Sequence, residues 1–317
     1  MSGGAGTAAS AGSSADAGSR AAAGASTNGG SPTNGGAVAN GGNRAGSESA
    51  SAGAGGTSSH AGVVASPGCA LAKSAPTGDG LVDYALPDTY DGVTPWPLLL
   101  ELRATNVSAG IAKARSPSKA LNQRYVVVAP KTSQDPNGSF EGLMKAQFLA
   151  QIEAALAEVC FDESRVFAAG NGSGGRVLTK WLLPPASAGA AQVESVPALR
   201  AIAVVGAYTG RYNAPTPVIF IHGTALPDSR AFSDLDGTKA LKLFLTGNAC
   251  AESSAPADVA GCPSADVVMD PHCVDFDGCV AAVRWCQPDD PASNASADPW
   301  PCFANEAIDQ FFAPYLD

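Results

Sequence analysis

Residues 165–178, Arg-Val-Phe-Ala-Ala-Gly-Asn-Gly-Ser-Gly-Gly-Arg-Val-Leu, constrain the fold more than any other stretch of the chain. An apolar run stops at a turn holding Gly170, Gly172, Gly174 and Gly175, and apolar residues resume beyond it at helical spacing. This is a strand, a sharp turn and the start of a helix. In α/β proteins such a turn presents a nucleophile or cradles a phosphate, and both uses need glycine where backbone must approach closely or adopt positive φ.

Three uses compete for the turn. Gly170-x-Gly172-x-x-Gly175 fits the dinucleotide spacing, but strands precede it in the chain, and the acid required about 20 residues later could only be Glu194, which no strand leads into. A nucleophile elbow, Gly-x-Ser-x-Gly, places its glycines at Gly170 and Gly174 and so puts Gly172 in the nucleophile slot, with Ser173 one residue late. The third use is structural, with Ser173 starting the helix and capping its amides. A nucleophilic serine also needs a base, and the chain has three histidines: His60, His222 at the end of an apolar run, and His272 in what reads as a polar loop.

Composition limits the rest. Residues 1–66 are mostly Gly, Ala, Ser, Thr and Asn without an aromatic, Leu or Ile, so they read as a disordered linker, and residues 67–317 as one folded domain. The net charge of −10 argues against nucleic acid and anionic membranes as partners. No run is long enough for a transmembrane helix. All eight cysteines follow residue 66, which suggests disulfides and an extracellular, cell-surface or periplasmic setting, with any leader already removed ahead of Met1. Cys279 with Cys286 is a plausible close pair, and Cys69, Cys160 and Cys302 are placed to fasten the ends of the domain. Neither zinc nor calcium spacing is present: there is no C-x-x-C, and Asp275-Phe276-Asp277-Gly278 lacks the rest of an oxygen-ligand loop. No cofactor is expected.

In chain order, strands are predicted at 81–86, 98–102, 125–130, 165–170, 200–206, 217–222 and 281–286, with helices at 141–159, after the glycine turn and at 306–312. Continuous apolar strands alternating with helices predict a mostly parallel sheet covered on both faces.

Several separate stretches resemble the secreted polyhydroxybutyrate-depolymerase and feruloyl-esterase-like branch of the α/β-hydrolases. They are Pro67-Gly68-Cys69, Leu86-Pro87 through Tyr90-Asp91-Gly92 to Pro97-Leu98, Cys160-Phe161-Asp162 with Arg165-Val166-Phe167, His222-Gly223-Thr224, Asn248-Ala249-Cys250, Cys273, Gly278-Cys279, Val283-Arg284-Trp285-Cys286 and Trp300-Pro301. The resemblance implies an α/β-hydrolase-like fold with a disulfide-bonded C-terminal section, and a serine esterase ancestry. It also implies that the catalytic positions have changed. The serine falls on Gly172, the acid on Leu226, the histidine on or beside Asp298, and the oxyanion-hole His-Gly on Arg103-Ala104. A triad works as a unit, so the expectation is a non-catalytic relative that binds a polyester or feruloylated polysaccharide, or serves as a surface protein. The alternative is an esterase using Ser173, Asp228 and His272. Trp96, Trp285 and Trp300 are either ligand-stacking groups or core residues, and core packing is the favoured role.

Overall fold

Among the residues described, the protein is built on one nine-stranded sheet. The computed structural model describes residues 62–70, 76, 81–102, 123–131, 144–183, 196–206, 215–222, 237–260, 271–288, 300–301 and 303–317. The strands are β1 (Val82–Ala85), β2 (Trp96–Leu102), β3 (Val126–Pro130), β4 (Phe161–Asn171), β5 (Leu199–Val205), β6 (Val218–Ile221), β7 (Ser254–Ala257), β8 (Pro271–Phe276) and β9 (Val283–Pro288). Their order across the sheet is β1-β3-β2-β4-β5-β6-β9-β8-β7. The six strands from β3 to β9 run parallel, whereas β1 at one edge and the β8–β7 extension at the other are antiparallel.

The helices are α1 (Lys145–Ala157), α2 (Ser173–Val177, continued by a wider π-type turn, Leu178–Leu182), α3 (Gly237–Gly247) and α4 (Ala304–Phe312). The strand residues sort by alternation. Leu98, Leu100, Val126, Val128, Val166, Ala168, Ile202, Val204 and Phe220 face Phe148 and Ile152 of α1, Val177 of α2 and Phe244 of α3. Leu99, Val127, Phe167, Ala169, Ala203, Val205 and Ile219 face Ile308, Phe311 and Phe312 of α4. Burial on both faces is why the central strands read as unbroken apolar runs. Phe312 packs on Phe167 at a ring separation of 4.9 Å, and each fully buried large side chain of this kind contributes about 1.5–3 kcal/mol.

Two strands and one helix were not predicted. Ser254-Ala-Pro-Ala has no apolar alternation, and it forms β7 only by pairing with β8. Its ladder faces β8 through Ser253 and Ala255, which turns Pro256 outward, where its missing N–H blunts the sheet edge. The stretch around His272 is β8 rather than a loop, fixed to β9 by a disulfide between directly opposed residues, Cys273 and Cys286, and by the paired contacts of Arg284 with Asp275. Cys279 therefore bonds Cys250, not Cys286, tying the end of α3 to the β8–β9 turn. The third described bridge, Cys69–Cys160, does fasten the start of the domain, while Cys302 and the low-complexity arm through residue 61 lie outside the described residues.

That fastening begins earlier than residue 67. The Val64 amide donates to Asp162 Oδ1 (3.0 Å), the Glu163 amide donates to the Val64 carbonyl (2.8 Å), and the Ser66 hydroxyl donates to the Val159 carbonyl (3.0 Å). Asp162, 1% exposed, also accepts from the Ser164 amide and hydroxyl and from Arg165 Nε (2.6 Å). Arg165 in turn donates to the carbonyls of Leu316 and Pro95. Both ends of the described domain are thus held on the first residues of β4. Burial alone would raise the Asp162 carboxyl, but the hydrogen bonds from Ser164, Val64 and Arg165 outweigh it and hold its pKa below the usual value.

A depressed carboxylate stabilises the fold fully above its unfolded pKa, and that stabilisation is lost as pH falls through the folded pKa. Asp162→Asn is therefore expected to cost ~2–4 kcal/mol at neutral pH. Urea unfolding at neutral pH and at pH 3 checks this, and the gap between wild type and variant should shrink in acid.

Candidate functional site

The glycine turn joins β4 to α2 at the carboxyl end of the sheet, the edge at which open α/β sheets bind ligands. Gly172 stands at its tip with φ 50° and ψ −123°. This is a conformation that side-chain-bearing residues adopt only under strain, and it is the strained strand-to-helix corner of a nucleophile elbow. The Gly172 amide donates to the Val205 carbonyl (3.1 Å), completing the ladder with β5, and its own carbonyl accepts from the Arg176 amide (3.2 Å), opening the helix.

The two flanking glycines are required by contact. A methyl group at Gly174 would run into the main-chain carbonyl of Leu102 at the end of β2, and one at Gly170 would come within 2.8 Å of the Gly174 backbone. The helix can turn back over the sheet only because both positions lack a side chain. The two positions that contact closes to a side chain are Gly170 and Gly174, and Gly172 stands between them.

Ser173 is the first helical residue and is half-buried, while Gly172 occupies the cap position and supplies no side chain to it. The capping role expected of Ser173 is therefore not made by its side chain. His222 follows β6, two strands from β4, or about 10 Å in strand spacing. Its ring stacks on Trp285 at 6.1 Å, and its amide donates to the Cys286 carbonyl (3.0 Å). His272 is exposed on β8, opposite Gln287 and four strands from β4, or about 19 Å. Leu226, Asp228, Asp298, Arg103, Ala104, Glu194 and His60 lie outside the described residues.

Of Trp96, Trp285 and Trp300, two are core residues. Trp285 is 7% and Trp300 9% exposed, the latter with its indole N–H donating to Asn305 (3.0 Å), and Trp96 packs partly buried against the same core as α1. Among the described residues no cluster of three or more His, Cys, Asp or Glu side chains could hold a metal.

The sequence reading passed over Glu101. It lies near the carboxyl end of β2, 1% exposed, beside Ala169 of β4 and on the sheet face that carries Asn171, itself 4% exposed. Both side chains are partnered. The signal was present in Leu-Leu-Leu-Glu-Leu, where an acid interrupts a run too apolar to be half-solvated. A carboxylate buried this deeply, on the α4 face of the sheet, must be held by polar partners.

No family model matches the sequence, and no curated protein matches it. Solved structures with a similar chain path include the esterase 2 of Thermogutta terrifontis, a Planctomycetes species. Its tabun-phosphoramylated form has a TM-score of 0.38 at 12% identity, over 52% of this chain and 73% of that one. Its native form has 0.36 at 13%, over 52% and 72%, and its sarin-phosphonylated form 0.36 at 12%, over 59% and 80%. At such scores the α/β-hydrolase-like architecture stands on the strand order and the elbow itself.

The contacts predict an order of cost among glycine substitutions. Gly174→Ala, which forces main chain apart, should lose about 3 kcal/mol, and Gly172→Ala, which only strains one residue, about 1–2 kcal/mol. Chemical denaturation ranks them, and a reversed order would contradict the geometry.

Proposed function

We propose that this protein is a hydrolase-fold relative of the polyester and feruloyl esterases that no longer hydrolyses esters and acts instead as a secreted or surface-displayed binding protein. The observation that carries this is the residue at the elbow tip. Gly172 holds the strained backbone that presents a nucleophile, and it has no side-chain atom to present.

Two further features support the same conclusion. Ser173 lies one residue past the tip, inside the helix, where its direction is set by the helix rather than by the turn. The described histidines belong to strands two and four removed from β4, and the His222 ring lies against Trp285. The three described disulfides favour an oxidising compartment outside the cytosol, and the Gly/Ala/Ser-rich arm of residues 1–66 would serve as the linker to an anchor. The ligand is a polymer of the kind that the ancestral esterases cleave, a polyester or a feruloylated polysaccharide, held at the carboxyl edge of the sheet near Gly172 and His222. With Trp285 and Trp300 committed to the core, recognition falls to other groups at that edge.

Turnover of p-nitrophenyl acetate and butyrate by the purified chain, compared with Ser173→Ala, tests the loss of hydrolysis. The two proteins should show the same background rate. A rate that falls a hundredfold or more in Ser173→Ala would establish the esterase that uses Ser173, Asp228 and His272 or another base. Retention on polyhydroxybutyrate granules or feruloylated arabinoxylan is expected of a binding protein, and passage through both would leave only a passive surface role.

A further inference from the structure

On one face the molecule reverses the charge of the chain. The whole chain carries 29 acidic and 19 basic residues. Along α2 and its wider continuation the charged residues are Arg176 and Lys180, both basic, and in the first two turns of α1, residues 145–151, the one charged residue is Lys145. Lys145 and Lys180 are exposed. Neither stretch contains an acid, and the first on α1 is Glu153.

The same two stretches carry an apolar outcrop. Trp181 of the π-type turn is half-buried and packs its ring on Phe148 of α1 at a centroid separation of 5.4 Å. Met144, at the cap of α1 and 64% exposed, stands four residues before Phe148 and so lies over the same side of that helix. Lys180 Nζ lies 5.9 Å from the centre of the indole. The turn that presents this pair is held from within, since the buried Thr179 hydroxyl donates to the carbonyls of Gly175 and Arg176, each at 3.1 Å. Turns of this wider type are rare in helices and concentrate at functional sites.

A flat apolar ring with ammonium groups beside it suits a sugar that carries a carboxylate. The sugar lays its C–H face on the indole, and its carboxylate meets the lysines. Charge and shape choose among acidic partners. A bilayer or an acidic protein would meet the rest of a chain of net charge −10 as well as this patch, whereas one polysaccharide strand meets the patch alone. The indole is also held down on Phe148, which keeps it from entering an acyl layer.

We propose that Trp181, Lys180, Lys145 and Met144 form a docking surface for a carboxylated polysaccharide, a chain of uronic acids, on the side of the sheet covered by α1 and α2. Trp181 stacks on a sugar ring, the lysines pair with carboxylates, and Met144 extends the apolar contact. The surface is separate from the elbow tip, and the proposal stands whether or not the elbow hydrolyses esters.

Isothermal titration of the purified, oxidised full chain with a hexamer of galacturonic acid, and with its fully methyl-esterified form, reads this surface directly. Saturable binding of the acid form is expected, weakening as sodium chloride is raised, with the uncharged ester roughly tenfold weaker. The double variant Lys145→Gln, Lys180→Gln changes only exposed side chains and should lose roughly tenfold in affinity, as should Trp181→Leu. Absence of saturable binding by the wild-type chain, equal binding of the ester, or unchanged affinity in the double lysine variant would overturn the proposal. Tighter binding to phosphatidylglycerol vesicles or to polyglutamate than to the hexamer would overturn it in favour of a membrane or a protein partner. Where Trp181→Leu fails to fold, the ester comparison and the lysine variant still decide.

Discussion

The fold depends on a contact between two pieces of main chain. At the carboxyl end of the sheet, the first turn of α2 lies directly on the Leu102 carbonyl, with no side chain between them. Close packing of this kind leaves no room for even one methyl group, so Gly170 and Gly174 are held in place by volume rather than by chemistry. With the helix pinned there, Val177 and Leu178 enter the core beside Phe148 and Ile152, and β4 is locked between β2 and β5. The tip residue then has no choice of backbone. Whatever stands at position 172 must accept positive φ, and glycine accepts it with least strain.

The other end of β4 carries the complementary constraint. Seven to eleven residues earlier than the tip, at Phe161 to Arg165, the strand receives both the N-terminal strap and the C-terminal turn, through the Asp162 carboxylate, the Arg165 guanidinium and the Cys69–Cys160 bridge. One strand therefore gathers the termini at its start and the candidate site at its end, about 20 Å apart by the span of its partner from Trp96 to Leu102. Substitutions at the elbow need not disturb the closure of the domain.

What could be read from residues alone follows the same division. The parallel strands were legible because burial on both faces forces continuous apolar runs, as in Val126–Pro130 and Val218–Ile221. The elbow was legible because only glycine suits three of its positions. The edge extension was not. Ser254–Ala257 and Pro271–Phe276 have weak strand character of their own: a disulfide and an Arg–Asp pair attach the second to β9, and the first is a strand by pairing with the second. The partner of Cys279 was equally hidden. Proximity in sequence suggested Cys286, whereas the register of an antiparallel pair places Cys286 opposite Cys273. Glu101 was visible as an acid in an apolar run, but its burial is a property of the sheet around it.

By itself, the sequence determined that a strand, a glycine corner and a helix stand at the centre of a mostly parallel sheet, with Gly172 between the two flanking glycines. Local composition suffices for this, because glycine at a strand-to-helix break and apolar runs of strand length carry their own conformational preference. Only the tertiary structure decided which histidine stands near which strand, that Ser173 belongs to the helix and not to the tip, and that both ends of the domain close on Asp162 and Arg165. Those facts depend on strand order and register, and neither is fixed by preferences that act over a few neighbouring residues.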